Sequence, residues 1–250
     1  MRIALGVEYC GTHYQGWQWQ SSGRTVQQTL EDALALVAKT PISTLCAGRT
    51  DAGVHAREQV VHFDTEVVRS EKAWTMGANT TLPHSIRVLW AKQVSDDFHA
   101  RRSAIARSYQ YIINNRSVRP AIEYHQHTWH YSKLDAELMH QAAQHFLGEQ
   151  DFTSFRAAGC QSHTPMRNVH KVSVHREGDL VIVNITANAF LHHMVRNIVG
   201  ALFQVGEGRQ LPEWIRQVLD QKDRRLSGVT APPNGLYLMK VEYPRDIITV

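Results

Sequence analysis

Several features that would place the chain in a common functional class are missing from its sequence. It has only three cysteines, Cys10, Cys46 and Cys160, which lie far apart and without C-x-x-C spacing. An odd number of scattered cysteines argues against a disulfide framework and favours a reducing compartment. The motifs G-x-x-x-x-G-K-[ST], G-x-G-x-x-G and G-x-S-x-G are also missing. The sequence therefore gives no support to nucleotide hydrolysis, dinucleotide binding or a serine hydrolase.

Long apolar runs are missing as well. Residues 3–7 are too short a run for a signal peptide, and polar residues interrupt the apolar stretch 190–205. We therefore expect a cytoplasmic protein without membrane spans. The 15 histidines include none with H-E-x-x-H spacing or cysteine partners, so no metal site is predicted.

The composition is that of an ordinary globular protein with a small excess of positive charge. Of the 250 residues, 43% are hydrophobic and 20% are charged, and the net charge is +4. This length is enough for a sizeable core, in one large domain or two small ones. The positive balance permits a polyanionic partner without requiring one.

The order of predicted elements is similar in the two parts of the chain. The first part reads β-α-β-β-α-β, with strands near 2–9, 42–46, 60–64 and 86–94 and helices capped by Thr25 and Ser70. The second part reads β-α-β-β-α-α-β, with strands near 107–114, 169–175, 180–187 and 236–243 and helices after Ser132, over 190–205 and after Pro212. We predict an α/β (α+β) fold of two ferredoxin-like halves, residues 1–98 and 99–250. Their sheets are expected to join into one mixed, mainly antiparallel sheet with helices packed behind.

The acidic residue Asp51 lies between Gly48 and Gly53, and β-like runs precede and follow this segment. Loops held by a rigid sheet often carry catalytic groups, and glycines allow a ligand to approach closely. A polar turn in which Asp51 and Thr50 bond nearby amides explains the same pattern. Spacing alone favours the turn.

A second unusual feature is Arg196, the only permanently charged residue of an apolar helical stretch. A buried guanidinium needs an anionic partner. A structural salt bridge, an arginine that reaches the surface, and a pairing with Asp51 all remain open.

Tyr109 and Tyr111 share one strand face with Arg107, which suits stacking on a base but also suits cross-strand packing. We expect at least one of the two tyrosines to pack in the core. Arg101-Arg102 and Arg224-Arg225 could contact phosphates, although each is alone an ordinary surface charge.

Taken together, several blocks resemble one family, the TruA-type tRNA pseudouridine synthases. The resemblance rests on Gly48-Arg49-Thr50-Asp51-Ala52-Gly53-Val54-His55, Phe98-His99-Ala100-Arg101, Arg107-Ser108-Tyr109-Gln110-Tyr111, Asp151-Phe152-Thr153-Ser154-Phe155, Ala189-Phe190-Leu191-His192-His193-Met194-Val195-Arg196-Asn197-Ile198-Val199-Gly200 and Gly235-Leu236-Tyr237-Leu238. These blocks follow the family's order over nearly the whole chain. The resemblance therefore favours a functional role for Asp51 over a simple polar turn.

The resemblance implies a role for each matched residue. Asp51 is expected to be the nucleophilic aspartate, Arg196 its paired arginine, and Tyr109 the residue that stacks on the uracil and takes part in catalysis. Arg49 is expected to help extrude the base from the helix. Further substrate contacts are expected from three residues, Arg107, His55 and Leu236.

By the same resemblance, the substrate is the anticodon stem-loop of tRNA, with uridines 38, 39 and 40 converted to pseudouridine. A homodimer without cofactor or metal is implied. The alternative is a non-catalytic RNA-binding module, which would explain the basic balance and the aromatic strand.

Overall fold

The computed structural model describes residues 1–244 and 247–248 and contains both strands and helices. The strands are β1 (Arg2–Tyr9), β2 (Leu45–Cys46), β3 (His55–Asp64), β4 (Ile86–Val94), β5 (Ala106–Asn115), β6 (Thr128–His130), β7 (Gly148–Asp151), β8 (Met166–Glu177), β9 (Leu180–Ala187) and β10 (Leu236–Glu242). The helices are α1 (Val26–Ala38), α2 (Glu71–Thr81), α3 (Ala136–Ala143), α4 (Met194–Gly206) and α5 (Trp214–Gln221). In the described part of the chain, none of the helices is long and apolar enough to cross a membrane.

Contacts between residues divide the chain into two compact units. Unit 1 is Met1–Arg107 together with the segment that begins at Tyr237, and unit 2 is Ser108–Leu236. The chain therefore leaves unit 1 within β5 and returns to it within β10. The division into domains 1–98 and 99–250 stays a prediction, because compactness does not test which segments fold on their own.

Unit 1 contains the strand order β4-β1-β3-β10. β1 pairs antiparallel with β3 and β4, β2 pairs antiparallel with β3, and β10 runs parallel to β3 with Tyr237 opposite His55. Helix α1 packs on α2, and α2 packs on β4. As predicted, Thr25 and Ser70 cap these helices by accepting a backbone N–H of the first turn. The largest fully buried side chains of unit 1 include Leu5, Leu30, Leu34, Phe63, Trp74 and Ile86.

Unit 2 contains the strand order β5-β9-β8-β7, and β6 pairs parallel with β5. The β8–β9 and β7–β8 pairs are antiparallel. Helix α3 packs on β8 and α4. Eleven of the thirteen residues of α4 are buried, which confirms that this helix lies mostly inside the protein. With mainly antiparallel pairing in both units and helices packed on strands, the predicted fold class is confirmed.

Two predicted elements of the sequence are shorter in the structure. The strand predicted over 42–46 is only Leu45–Cys46, because the Thr44 N–H donates to the Glu31 carboxylate at 2.7 Å instead of to a neighbouring strand. The helix predicted over 190–205 begins at Met194, because His193 has a left-handed φ of +59°.

The helix predicted after Ser132 begins at Ala136, and Asp135 is its N-cap. The Asp135 carboxylate accepts the N–H groups of Glu137 and Leu138, each at 3.0 Å. The Ser132 carbonyl accepts a bond from Asn115. This helix ends at Ala143, and β6 and β7 are two short strands that the sequence pattern did not predict.

Candidate active site

Asp51 lies in the loop between β2 and β3 of unit 1, as predicted. Its carbonyl accepts the Val54 N–H at 3.1 Å, which closes a turn, and Gly53 within that turn has a φ of +79°. Asp51 itself is half-buried, whereas the neighbouring Thr50 and Val54 are buried. The loop therefore has a fixed backbone and a carboxylate at the edge of the solvent.

The loop after β1 holds the Asp51 loop on both sides of the carboxylate. The Trp17 N–H donates to the Thr50 carbonyl at 3.0 Å, and the Gly53 N–H donates to the Tyr14 carbonyl at 3.3 Å. The hydroxyls of Tyr9 and Thr50 form a buried bond of 2.7 Å. Sequence reasoning missed this support, since these contacts join segments far apart in the chain.

Two glycines allow this close approach. Gly16 has a φ of +85°, and a Cβ built on it would lie 2.7 Å from the Thr50 carbonyl oxygen. A Cβ on Gly11 would collide with the carbonyl of Val54. The glycines of the loop after β1 were therefore the signal in the sequence, because that loop has no periodic pattern of its own.

His55 is the first residue of β3 and is only 1% exposed. Its Nδ1 accepts the Gly11 N–H at 3.1 Å, and its ring stacks on Tyr237 with 4.7 Å between ring centroids. A hydrogen bond with His55 lowers the pKa of the Cys10 thiol to about 6. Gly11, Tyr237 and Cys10, which contact His55, all belong to unit 1.

The two arginines predicted in unit 1 occupy different environments. Arg49 is exposed. Arg107 is buried, and its guanidinium donates to three backbone carbonyls: Ala104 at 3.1 Å, Ala47 at 3.2 Å and Arg101 at 2.7 Å. Because Ala47 opens the Asp51 loop, Arg107 ties that loop to the connector before β5.

In unit 2, the two tyrosines of β5 have different surroundings. Tyr111 is fully buried, and its hydroxyl bonds to the Thr128 hydroxyl and the Pro232 carbonyl, each at 2.7 Å. This confirms that at least one of the pair packs in the core. Tyr109 is 9% exposed and meets Phe190 edge to face at 4.9 Å. Leu236, at the start of β10, is also buried.

Arg196 is half-buried in the first turns of α4. Its Nε donates to the Ala231 carbonyl at 2.8 Å, and the Ala231 N–H donates back to the Arg196 carbonyl at 3.1 Å. These two bonds fix the orientation of the guanidinium relative to the segment before β10. The pairing of Arg196 with Asp51 stays a prediction.

A network around Asn197 holds the segment that contacts Arg196. The fully buried Asn197 accepts bonds from Arg224 at 2.9 Å and from the Thr230 hydroxyl at 2.7 Å. Arg224 also donates to the Gly228 carbonyl at 2.8 Å. Burial lowers the pKa of Arg224. Sequence reasoning had given Arg224 only a surface role.

Comparison with known proteins identifies the family of this chain. A family model described as tRNA pseudouridine synthase matches residues 6–101 and 142–244. Because the match spans most of the sequence, the chain belongs to the tRNA pseudouridine synthase family. It is an enzyme of the isomerase class, and its mixed α/β architecture is consistent with the pseudouridine synthase fold.

Individual relatives are similar over nearly the full length. The protein named tRNA pseudouridine synthase A of Shewanella sp. (strain W3-18-1) is 59% identical over 98% of this chain and 94% of its own. The proteins of that name from Vibrio parahaemolyticus serotype O3:K6 (strain RIMD 2210633) and Histophilus somni (strain 2336) are 56% and 57% identical. These two matches cover 98% of this chain and 93% and 91% of the relatives.

Proposed function

We propose that this protein converts uridine to pseudouridine at positions 38, 39 and 40 of the tRNA anticodon stem-loop, with Asp51 as the nucleophile. The observation that carries the proposal is the fixed Asp51 loop. Backbone bonds from Tyr14 and Trp17 hold it on both sides and leave a half-buried carboxylate. Family membership supplies the class of reaction.

The reaction exchanges one bond of the base for another. The N1–C1′ bond breaks, the uracil turns, and a C5–C1′ bond forms, while C5 loses a proton and N1 gains one. The RNA therefore keeps its mass. A carboxylate suits this chemistry because it can add to a carbon centre or remove a proton, and can then leave. Asp51 is required whether it adds to C1′, adds to the base or drives elimination.

Three other residues complete the proposal. Arg196, whose guanidinium is oriented by Ala231, pairs with the Asp51 carboxylate and holds it in one orientation. Tyr109 stacks on the uracil and takes part in proton transfer. The exposed Arg49 helps to hold the extruded base out of the helix, since a stacked and paired uridine hides its reacting atoms.

The remaining predicted residues act at the edge of this site. His55 and Arg107 are buried, so they serve substrate binding by holding the loop that faces the RNA. Leu236 provides an apolar contact to the base. The enzyme works as a homodimer in the cytoplasm and needs no cofactor.

The proposal is tested with tRNA that carries tritium at C5 of uridine, incubated without added metal. Transcripts that keep one uridine at a time at positions 38, 39 and 40 assign the sites. We expect the wild type to release tritium from unbroken RNA. Asp51→Asn should bind the RNA, keep its unfolding midpoint and release none. Asp32→Asn, which changes an exposed carboxylate on α1, is the matched control and should behave as the wild type does.

Three results would contradict the proposal. Tritium release by Asp51→Asn at the wild-type rate would remove Asp51 from the chemistry. Tight RNA binding by a folded wild type without any release would favour a non-catalytic RNA-binding module. Release from other uridines only would overturn the assignment to positions 38, 39 and 40.

A further inference from the structure

The turn formed by residues 98–104, here called the arginine turn, exposes two adjacent cations. The side chains of Arg101 and Arg102 are both exposed. Across residues 1–244 and 247–248, neither forms an ion pair with a carboxylate. Two neighbouring guanidinium groups without a protein anion repel one another unless an external anion lies between them.

Bonds within the arginine turn fix its shape. His99 Nδ1 accepts the N–H groups of Arg101 and Arg102, at 3.1 and 3.3 Å. The Ser103 N–H donates to the His99 carbonyl at 2.9 Å, and the His99 N–H donates to the Ser103 hydroxyl at 3.0 Å. The backbone positions from which both arginine side chains extend are therefore fixed.

The body of unit 1 holds the same turn from several sides. The Ala100 N–H donates to His62 Nδ1 at 3.2 Å, and the Tyr243 hydroxyl donates to the Ala100 carbonyl at 2.7 Å. Arg107 donates to the Arg101 carbonyl at 2.7 Å. A backbone that is ordered before binding loses little conformational entropy when a ligand binds, so this exposed segment is suited to recognition.

Arg107 also connects the arginine turn to the Asp51 loop. One nitrogen of its guanidinium, Nη2, contacts the carbonyls of both Arg101 and Ala47. Burial raises the pKa of the Cys46 thiol to about 12, and the positive charges of Arg49 and Arg101 oppose that rise. The charges of Arg49 and Arg101 thus both act on Cys46, the residue before Ala47 of the Asp51 loop.

We propose that Arg101 and Arg102 form a binding site for backbone phosphates of the RNA substrate, held by Arg107 at a fixed distance from the Asp51 loop. The planar guanidinium groups suit bidentate contacts to phosphate oxygens. Contacts to phosphates do not depend on the base sequence, and they fix the position of the RNA on the enzyme. This inference rests on the proposed function, because it takes tRNA as the substrate.

The test compares two double variants that each remove two positive charges from unit 1. Arg101→Gln/Arg102→Gln keeps the backbone bonds of the turn, and Arg69→Gln/Lys72→Gln removes exposed cations at α2 as the matched control. Affinity for tRNA is measured against salt concentration. The slope of log affinity against log salt is negative, and each lost phosphate contact reduces its magnitude by about 1. We therefore expect the magnitude to decrease by about 2 for the first variant. The control should keep the wild-type slope.

Tritium release separates binding from chemistry. For Arg101→Gln/Arg102→Gln we expect KM to rise roughly tenfold or more at moderate salt, with kcat unchanged at saturating tRNA. An unchanged slope, or an equal decrease in the control, would overturn the site. Repeating the binding series in an Asp51→Asn background makes the result independent of the reaction. A changed slope without tritium release by the wild type would support the phosphate site while the proposed chemistry fails.

Discussion

At Gly16, a missing side chain allows the loop after β1 to meet the backbone of the Asp51 loop. A Gly16→Ala variant would adopt φ +85° at a cost of about 1–2 kcal/mol, and its Cβ would press on the Thr50 carbonyl. We expect a lower free energy of unfolding in urea and a kcat reduced roughly tenfold or more, because small displacements of catalytic groups are costly.

Gly159→Ala is the matched control for this prediction. Gly159 has a similar φ of +77°, but a Cβ there would meet nothing within 4 Å. Its variant should share the backbone strain and keep the wild-type kcat. If Gly16→Ala and Gly159→Ala lost equal stability and both kept full activity, the close contact with Thr50 would have no part in positioning Asp51.

Among the elements, β3 carries a buried histidine that links folding stability to pH. His62 is 2% exposed and accepts the Ala100 N–H through Nδ1. Burial, followed by the positive charges of Arg2 and His99, lowers its pKa to about 4, while Asp64 and the Leu45 carbonyl act in the opposite direction. In the unfolded chain the pKa is about 6.5.

The unfolded state therefore binds more protons at His62 between pH 6.5 and about 4. The stabilising effect of the neutral ring is fully present above pH 6.5 and is lost as the pH falls through this window. We predict that the free energy of unfolding of the wild type decreases more from pH 7 to pH 5 than that of His62→Asn, which keeps an acceptor but does not titrate. Equal decreases in urea titrations would refute the role of His62.

The helices and strands also differ in how well the sequence predicts them. Helices α1 and α2 were predicted with their caps, because Thr25 and Ser70 act on N–H groups only a few residues away. The start of α4 was not predicted correctly. The Ala157 N–H donates to the His192 carbonyl, and the His192 N–H donates to Cys160 Sγ. These contacts between distant segments divert the chain before Met194. The periodicity of apolar residues carries no information on such contacts.

For the site, the sequence predicts the position of Asp51 on a loop between strands, since glycines and flanking strands are local signals. It does not predict that Trp17 and Tyr14 support that loop, nor that Arg107 would be buried against Ala47. Those facts depend on pairing between segments that lie about 35 to 60 residues apart. A charged residue on an alternating strand has the same pattern whether it faces a ligand or a carbonyl.

At the scale of the whole molecule, unit 1 is assembled from two separate parts of the chain. β10 contributes Leu238, which is fully buried, and Tyr237, which stacks on His55 at the end of the Asp51 loop. We predict that residues 1–107 alone do not fold stably, whereas the same segment joined through a flexible linker to residues 237–244 unfolds cooperatively. Hydrogen exchange of the β3 amides measures the difference.

A joined fragment with a scrambled 237–244 segment is the control and should resemble residues 1–107 alone. Equal protection of β3 in all three proteins would show that β10 is dispensable for unit 1.

The late position of β10 in the chain has a consequence for how the enzyme is made in the cell. A ribosome that adds 5–20 residues per second takes on the order of 10 to 40 s to proceed from His55 to Tyr237. Throughout that interval the nascent β3 lacks its parallel neighbour, and unit 2 is translated in full before that neighbour emerges. The Asp51 loop is thus among the last parts of the enzyme to acquire its final surroundings, so an incomplete chain released early carries the Asp51 motif without the strand that packs beside it.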